Sequence, residues 1–312
     1  MARTNGFTRR TLLTAAAGTT LLPLFRAPLL HAAPRAPSLP FVIIGDWGRE
    51  GAEKQREVGI QMGRSAEAIE SRLVISLGDN FYEDGVTGVA DPQWVQSFED
   101  IYAAPSLQTR WDVILGNHDY RGDVDAQIDY SSRSARWHMP ARAFTRRETL
   151  TDGTTAEFFY IDTNPFITAY RHSDVKIDGQ DTDTQLKWLD GALGSSTAKW
   201  KIVIGHHPIQ TVTGGKRNTP ELIARLDPLL RKHKVKIYIN GHDHNFQYLD
   251  HDGINYITNG AGSQVYEPGP AAPGQYAGGH HGFMTAELSA NNFAFKFIDD
   301  SATELFAANI PA

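Results

Sequence analysis

The chain has 312 residues, 41% hydrophobic and 21% charged, a globular balance that excludes a disordered or collagen-like chain and leaves room for a sizeable core. Residues 1–33 hold four arginines and no acid, so the remainder sets 26 Lys and Arg (30 less those four) against 36 Asp and Glu, too acidic for nucleic acid or an anionic membrane as main partner. There is no cysteine, which excludes disulfides, thiolate metal sites, iron–sulfur clusters and cysteine nucleophiles together.

The N-terminus reads as an address. Thr8-Arg9-Arg10-Thr11-Leu12-Leu13 leads into an apolar run ending at Leu24, and Leu30-His31-Ala32-Ala33 follows. A basic region, a short apolar region and a small-residue exit describe a bacterial export signal, and the paired arginines point to the twin-arginine route. The run is about 13 residues, short of the roughly 20 needed to span a bilayer. Residues 1–33 are therefore expected to be a cleaved twin-arginine signal peptide, and the mature protein periplasmic or secreted and free of the membrane. Residues 34–40 are Pro-rich and read as a linker. Residues 41–300 carry no break in composition and read as one domain, with 301–312 as a C-terminal tail.

Within that domain short β-branched runs alternate with amphipathic stretches. Strands are predicted at Phe41–Ile44, Leu73–Leu77, Trp111–Leu115, Glu157–Ile161, Trp200–Ile204, Val235–Ile239 and Ile254–Ile257. Helical patterns fit Glu50–Arg72 and Thr182–Leu193. Asp91-Pro92 opens a further predicted helix carrying Trp94, Phe98 and Tyr102, and Thr219-Pro220 opens another, kinked by Pro228. Gln264–Gly282 reads as a Gly/Pro-rich loop, followed by a hairpin of Phe283–Leu288 and Phe293–Ile298. The alternation implies a layered α/β fold.

Five of the apolar runs end alike, on a glycine followed at once by a metal-competent residue: Gly45-Asp46, Gly78-Asp79, Gly116-Asn117, Gly205-His206 and Gly241-His242. Ligand sites of α/β sheets lie at strand carboxyl ends, so these residues are expected to converge on one crevice, with Tyr82, His118 and His244 on the same turns. Asp46, Asp79 and Tyr82 are hard oxygen donors and the histidines borderline nitrogen donors. A tyrosine ligates as phenolate only to a strongly acidic ion such as Fe(III). Two metals sharing a carboxylate fit the donor count better than one. A trivalent and a divalent ion carry more charge than Asp46, Asp79, a Tyr82 phenolate and a hydroxide neutralise, which leaves a positive cleft for an anion such as phosphate.

The blocks Gly45-Asp46-Trp47-Gly48, Gly78-Asp79-Asn80-Phe81-Tyr82, Gly116-Asn117-His118-Asp119, Val203-Ile204-Gly205-His206 and Gly241-His242-Asp243-His244 resemble, in order and spacing, the five motifs of purple acid phosphatases in the calcineurin-like metallophosphoesterase superfamily. The small single-domain form, typified by mammalian tartrate-resistant acid phosphatase, is the form the chain most resembles. The resemblance runs from Phe41 to Phe297 and implies an α/β/β/α sandwich with the metal site at the carboxyl ends of the strands. It implies Asp46, Tyr82 and His244 on Fe(III), Asp79 bridging, and Asn117, His206 and His242 on a second, divalent metal: Fe(II), Zn or Mn. Gly48 and Tyr82 set the chain apart from diesterase-like relatives, which place a histidine at the former position and lack the tyrosine.

The activity implied is an exported acid phosphatase acting on small-molecule or phosphoprotein monoesters. A hydroxide held by the metals would attack phosphorus and His118 would protonate the leaving group. The mammalian enzymes carry a second cleft histidine where this chain has Gly215; His207 is a candidate substrate contact in compensation. A monomer is expected, with no nucleic acid as structural partner. The same site would also suit a broad phosphoesterase or phosphodiesterase, and a metalloprotein that binds phosphate without catalysis is the alternative of a different class.

Overall fold

In chain order the strands are β1 (Ser38–Ile44), β2 (Val74–Ser76), β3 (Trp111–Val113), β4 (Trp137–His138), β5 (Phe144–Thr149), β6 (Thr155–Tyr160), β7 (Trp200–Ile204), β8 (Ile237–Asn240), β9 (Phe246–His251), β10 (Ile254–Asn259), β11 (Tyr276–Gly278), β12 (Gly282–Ser289), β13 (Asn292–Asp299) and β14 (Glu304–Pro311). The α-helices are α1 (Gln55–Ala68), α2 (Val124–Asp129), α3 (Thr182–Ser195), α4 (Pro220–Arg225) and α5 (Asp227–Lys232). This computed structural model describes residues 36–212 and 218–312; the expected leader at 1–33 and Gly215 fall outside them. No helix among the described residues is long and apolar enough to cross a membrane.

The strands form two seven-stranded sheets, ordered β14-β13-β12-β1-β2-β3-β4 and β11-β9-β10-β8-β7-β6-β5. β1 to β4 run parallel, as do β6, β7, β8 and β10. Each half therefore presents a row of strand carboxyl ends. The side-chain period of two splits every central strand between two cores. Phe41 and Ile43 of β1 cluster with Phe158 and Tyr160 of β6, Ile202, Ile239 and Phe297 between the sheets. Their neighbours Val42 and Ile44 pack with Val58, Met62 and Ala66 of α1 on the outer side. Phe159 and Val203 pack with Leu189 and Leu193 of α3 and with Leu222 and Leu230 on the opposite outer side. The layers are helix, sheet, sheet, helix, as expected. Burial on both faces is why these strands read as unbroken apolar runs.

Several boundaries differ from the sequence reading. The stretch after Asp91 is a π-helical turn, Trp94–Glu99, in which the Asp100 N–H reaches the Val95 carbonyl at 3.0 Å. The extra residue per turn accompanies tight aromatic packing: Trp94 stacks on Tyr130 at 3.6 Å and Phe98 meets Trp111 and Trp137 edge-on. Pro228 does not kink one helix; α4 and α5 are separate, each with proline in its first turn, where the missing N–H costs nothing. Strands β4, β5, β9 and β11 were not expected. Residues 301–312, expected as a tail, supply β14, paired antiparallel with β13. The compact unit runs from Ala36 to Ala312, and β1 starts inside the expected linker.

Candidate metal centre

The five glycine-ended strands are β1, β2, β3, β7 and β8, and their carboxyl ends meet at the seam between the sheets. Asp46, Asp79 and His242 all have positive φ, 60°, 50° and 66°, a conformation costing a non-glycine residue roughly 1–2 kcal/mol. Hydrogen bonds at these turns sustain it: the Asp46 N–H donates to the Gly78 carbonyl of the neighbouring turn at 3.0 Å, and the His242 N–H donates across the seam to Asp46 Oδ2, also at 3.0 Å. A Cβ at Gly116 would fall on the Asp79 carboxylate, so only glycine lets that carboxylate lie against the third turn.

Two groups of donor atoms result. Around Tyr82 Oη stand His244 Nε2 at 2.9 Å, Asp79 Oδ2 at 3.0 Å and Asp46 Oδ1 at 3.2 Å, with His244 Nε2 3.4 Å from Asp46 Oδ1. Around Asn117 Oδ1 stand His242 Nδ1 at 3.0 Å and His206 Nε2 at 3.3 Å, the latter 3.5 Å from Asp79 Oδ2. Donors at right angles around a cation about 2.1 Å away stand about 3.0 Å apart. Both groups have that spacing, and Asp79 Oδ2 belongs to both. Its other oxygen is held by the His118 backbone N–H at 2.8 Å.

The donor chemistry fits cations as well as the distances do. His206 donates its Nδ1–H to the Leu77 carbonyl at 2.8 Å, so Nε2 is the ring nitrogen that faces the Asn117 and Asp79 oxygens and would hold a cation there. Tyr82 has one proton for two carboxylates and an imidazole. Such convergent lone pairs are stable only around positive charge. The same crowding moves the pKa values. Burial pulls His206 down, but the charges of Asp79 and Asp46 outweigh it and push it up to about 9. Burial works to raise Asp79, yet His206 and the His118 side hold it far below the usual carboxylate range. Burial and the two neighbouring carboxylates drive the Tyr82 phenol well above its ordinary value, so only a strongly acidic ion would displace its proton.

All seven residues expected as ligands lie in these two groups, and His118 lies beside them. Its Nδ1 is 2.6 Å from the Glu83 carbonyl and 3.0 Å from Arg121 Nη1, and its ring sits 4.4 Å from that of Tyr82. His207, expected to contact substrate, is held differently. It is buried, with Nδ1 on Thr163 Oγ1 and Nε2 on Tyr170 Oη, each at 2.8 Å. Both ring nitrogens are taken, so His207 serves as a brace behind His242, whose ring is 4.4 Å away. At Gly48 a Cβ would land on the Asn80 carbonyl, so this position of the first motif admits no side chain here.

Sequence reasoning missed the supports. The Asp119 carboxylate accepts from Gly116 N–H and Gln127 Nε2 at 2.8 Å and from Asn80 N–H at 3.0 Å, tying the second and third turns together. Asn80 in turn accepts from Ser76 Oγ at 2.6 Å and donates to the Ile114 carbonyl at 2.8 Å. Both lie inside the quoted motif blocks, as polar residues flanked by buried strands, and that was the available signal.

Comparison with known proteins agrees with this geometry. The calcineurin-like phosphoesterase family model matches residues 39–246. Purple acid phosphatase 4 of Arabidopsis thaliana is 38% identical over 294 residues, covering 89% of this chain and 85% of that protein. The chain belongs to the purple acid phosphatases. Human tartrate-resistant acid phosphatase type 5 is 32% identical, covering 88% of this chain and 91% of that protein. Identity to the plant relative thus exceeds that to the mammalian form the motifs resemble. Among solved structures, GAP50, titled the anchor in the inner membrane complex of Plasmodium, superposes with a TM-score of 0.77 at 24% identity over 88% of this chain and 89% of its own. The yellow lupin purple acid phosphatase PPD1 gives 0.66 at 16% identity, over 89% of this chain and 54% of its own. Both likenesses concern the fold. Membership of the purple acid phosphatases implies a dinuclear metal site, and the two donor groups are where this chain would hold it.

Proposed function

We propose that the protein is an acid phosphatase that hydrolyses phosphomonoesters at a centre of Fe(III) and a divalent metal, Fe(II), Zn or Mn. The sharing of Asp79 Oδ2 between two groups of donors carries this reading, because one carboxylate oxygen common to both calls for a pair of cations. Asp46, Tyr82 and His244 would hold the trivalent ion, Asn117, His206 and His242 the divalent one, and Asp79 would bridge them. The raised phenol of Tyr82 favours Fe(III) on its side. When bound, the pair supplies Lewis acidity that neutralises phosphate charge and draws a nucleophile from water.

The chain's own residues do the rest. The carboxylates of Asp46 and Asp79, each held by a backbone N–H of a neighbouring turn, keep the donors in place before substrate arrives. The Glu83 carbonyl fixes His118 by Nδ1, leaving Nε2 as the nitrogen free to give a proton to the departing alkoxide. His207, Thr163 and Tyr170 hold the wall behind His242. Residues 1–33 would route the chain through twin-arginine export to the periplasm or exterior, a route that carries folded proteins.

The test is hydrolysis of an aryl phosphomonoester and the matching diester by the purified, metal-analysed mature chain from acid to neutral pH. Monoester turnover strongest on the acid side, with about two metals per chain, is expected. A preference for the diester keeps the site and changes the function. Absence of turnover with both metals bound leaves a phosphate-binding protein and ends the catalytic reading.

A further inference from the structure

Arg49 follows Gly48 in the first motif, and the function just described leaves it unused. Its guanidinium carbon lies 3.8 Å from the centroid of the Tyr82 ring. Its side chain is only 12% exposed and is held on three sides. Nε donates to Ser263 Oγ at 3.2 Å, Nη2 to Gln264 Oε1 at 3.4 Å, and Nη1 pairs with the carboxylate of Glu83, the residue after Tyr82. Ser263 itself donates to the Asp46 carbonyl at 2.6 Å. The cation is thus anchored to the Asp46 loop, to the 263–264 loop and to the residue following Tyr82. A group held by that many partners has its place over the ring dictated by the fold.

We propose that Arg49 is a positioning residue that sets the electronic energy of Tyr82 as a metal ligand, fixing both the tyrosinate-to-iron charge transfer and the reducibility of the iron. The inference rests on Tyr82 being an Fe(III) ligand. A guanidinium over an aromatic face is attracted to the π electrons. The attraction grows when the phenol becomes phenolate, because charge then spreads into the ring. Positive charge there lowers the filled tyrosinate orbital, so lifting an electron from it to iron takes more energy. The same charge makes the iron easier to reduce, which by itself would lower the band energy, but the guanidinium lies directly on the ring, so the effect on the tyrosinate dominates. Glu83 faces the guanidinium from outside and partly neutralises it.

The experiment uses the full mature chain loaded with iron and zinc, in three forms: parental, Arg49→Met and Arg49→Lys. Arg49→Met is expected to move the visible band to longer wavelength at unchanged iron content, and to make the Fe(III) harder to reduce in a spectroelectrochemical titration. Arg49→Lys keeps a cation without the flat contact and is expected to shift less, in the same direction. If Arg49→Met does not fold, Arg49→Gln carries the same comparison. A band at the parental position in the uncharged variant, with equal iron, overturns the inference and leaves Arg49 as packing. A parental protein that holds iron yet shows no visible band instead removes Tyr82 as a ligand, and the underlying reading with it.

Discussion

Asp119→Asn is the most informative single change outside the donor set. The carboxylate is fully buried and takes donors from Gly116 N–H, Asn80 N–H, Asn80 Nδ2 and Gln127 Nε2. An amide of the same shape keeps one acceptor oxygen and turns an NH₂ toward the remaining donors. Two buried donors then lose their partner, at about 1–3 kcal/mol each, or about 2–6 kcal/mol together. A folded domain has only about 5–15 kcal/mol to lose. At roughly 2 °C per kcal/mol for a chain of this size, the melting temperature should fall by roughly 4–12 °C. Because Asn80 adjoins Asp79 and Gly116 adjoins Asn117, metal affinity should weaken as well, by roughly 10- to 100-fold as for other residues that orient ligands. Calorimetry of the metal-loaded chain and competition against a chelator measure the two effects. A variant that melts with the parent and keeps its metals equally well would refute the claim that Asp119 ties the two turns.

Other substitutions probe separate parts of the argument. Tyr82→Phe should abolish visible colour in the iron-loaded protein; a variant that keeps the parental band has another chromophore. His118→Ala should slow alkyl phosphates more than nitrophenyl phosphate, by about 10²-fold, and equal losses on both would remove the leaving-group role. Gly48→Ala forces a methyl against the Asn80 carbonyl and should cost at least about 1–3 kcal/mol in urea melts; a neutral result means the turn yields. Burial holds the Asp162 carboxyl above the ordinary range, against the Tyr120 hydroxyl and Asn164, which favour its charge. The folded chain then binds more protons than the unfolded one above about pH 4, so this contribution to stability is lost as pH rises. Asp162→Asn should flatten the fall in stability as pH rises above about 4, and an unchanged slope in urea melts counts against it.

What was legible in the sequence follows from where the donors sit. Asp46, Asp79, Asn117, His206 and His242 each end a strand buried on both faces, so each is announced by an apolar run and a glycine. Tyr82, His118 and His244 travel on the same turns. Asn80, Glu83 and Asp119 lie on those turns too, but their supporting contacts, such as Asn80 N–H on Asp119, form only in the folded chain, as do Arg49 with Ser263 and Tyr170 with His207. His207 shows the limit of adjacency: it follows a ligand directly, yet β7 turns it toward Thr163 and Tyr170. Among the strands, β14 was missed because an edge strand with only one fully buried residue has little apolar alternation. The Trp94–Glu99 turn carried a helical pattern, but aromatic packing widened it, a choice made by tertiary contacts.

The partition of the donors between the sheets has a consequence for synthesis. Asp46, Asp79, Tyr82 and Asn117 come from the β1–β3 side, all but one through oxygen carried by a carboxylate or phenol. His206, His242 and His244 come from the β7–β8 side, all through nitrogen. A ribosome delivers the oxygen half first and completes the nitrogen half only at residue 244, while β1 waits for β12 to close its own sheet. Of this donor set, a chain interrupted before residue 206 offers the hard oxygen donors alone, a set with no preference for the transition ions over magnesium or calcium. Discrimination among metals therefore belongs to the finished fold, and any cation that meets the growing chain meets a different chemistry from the one the mature protein presents.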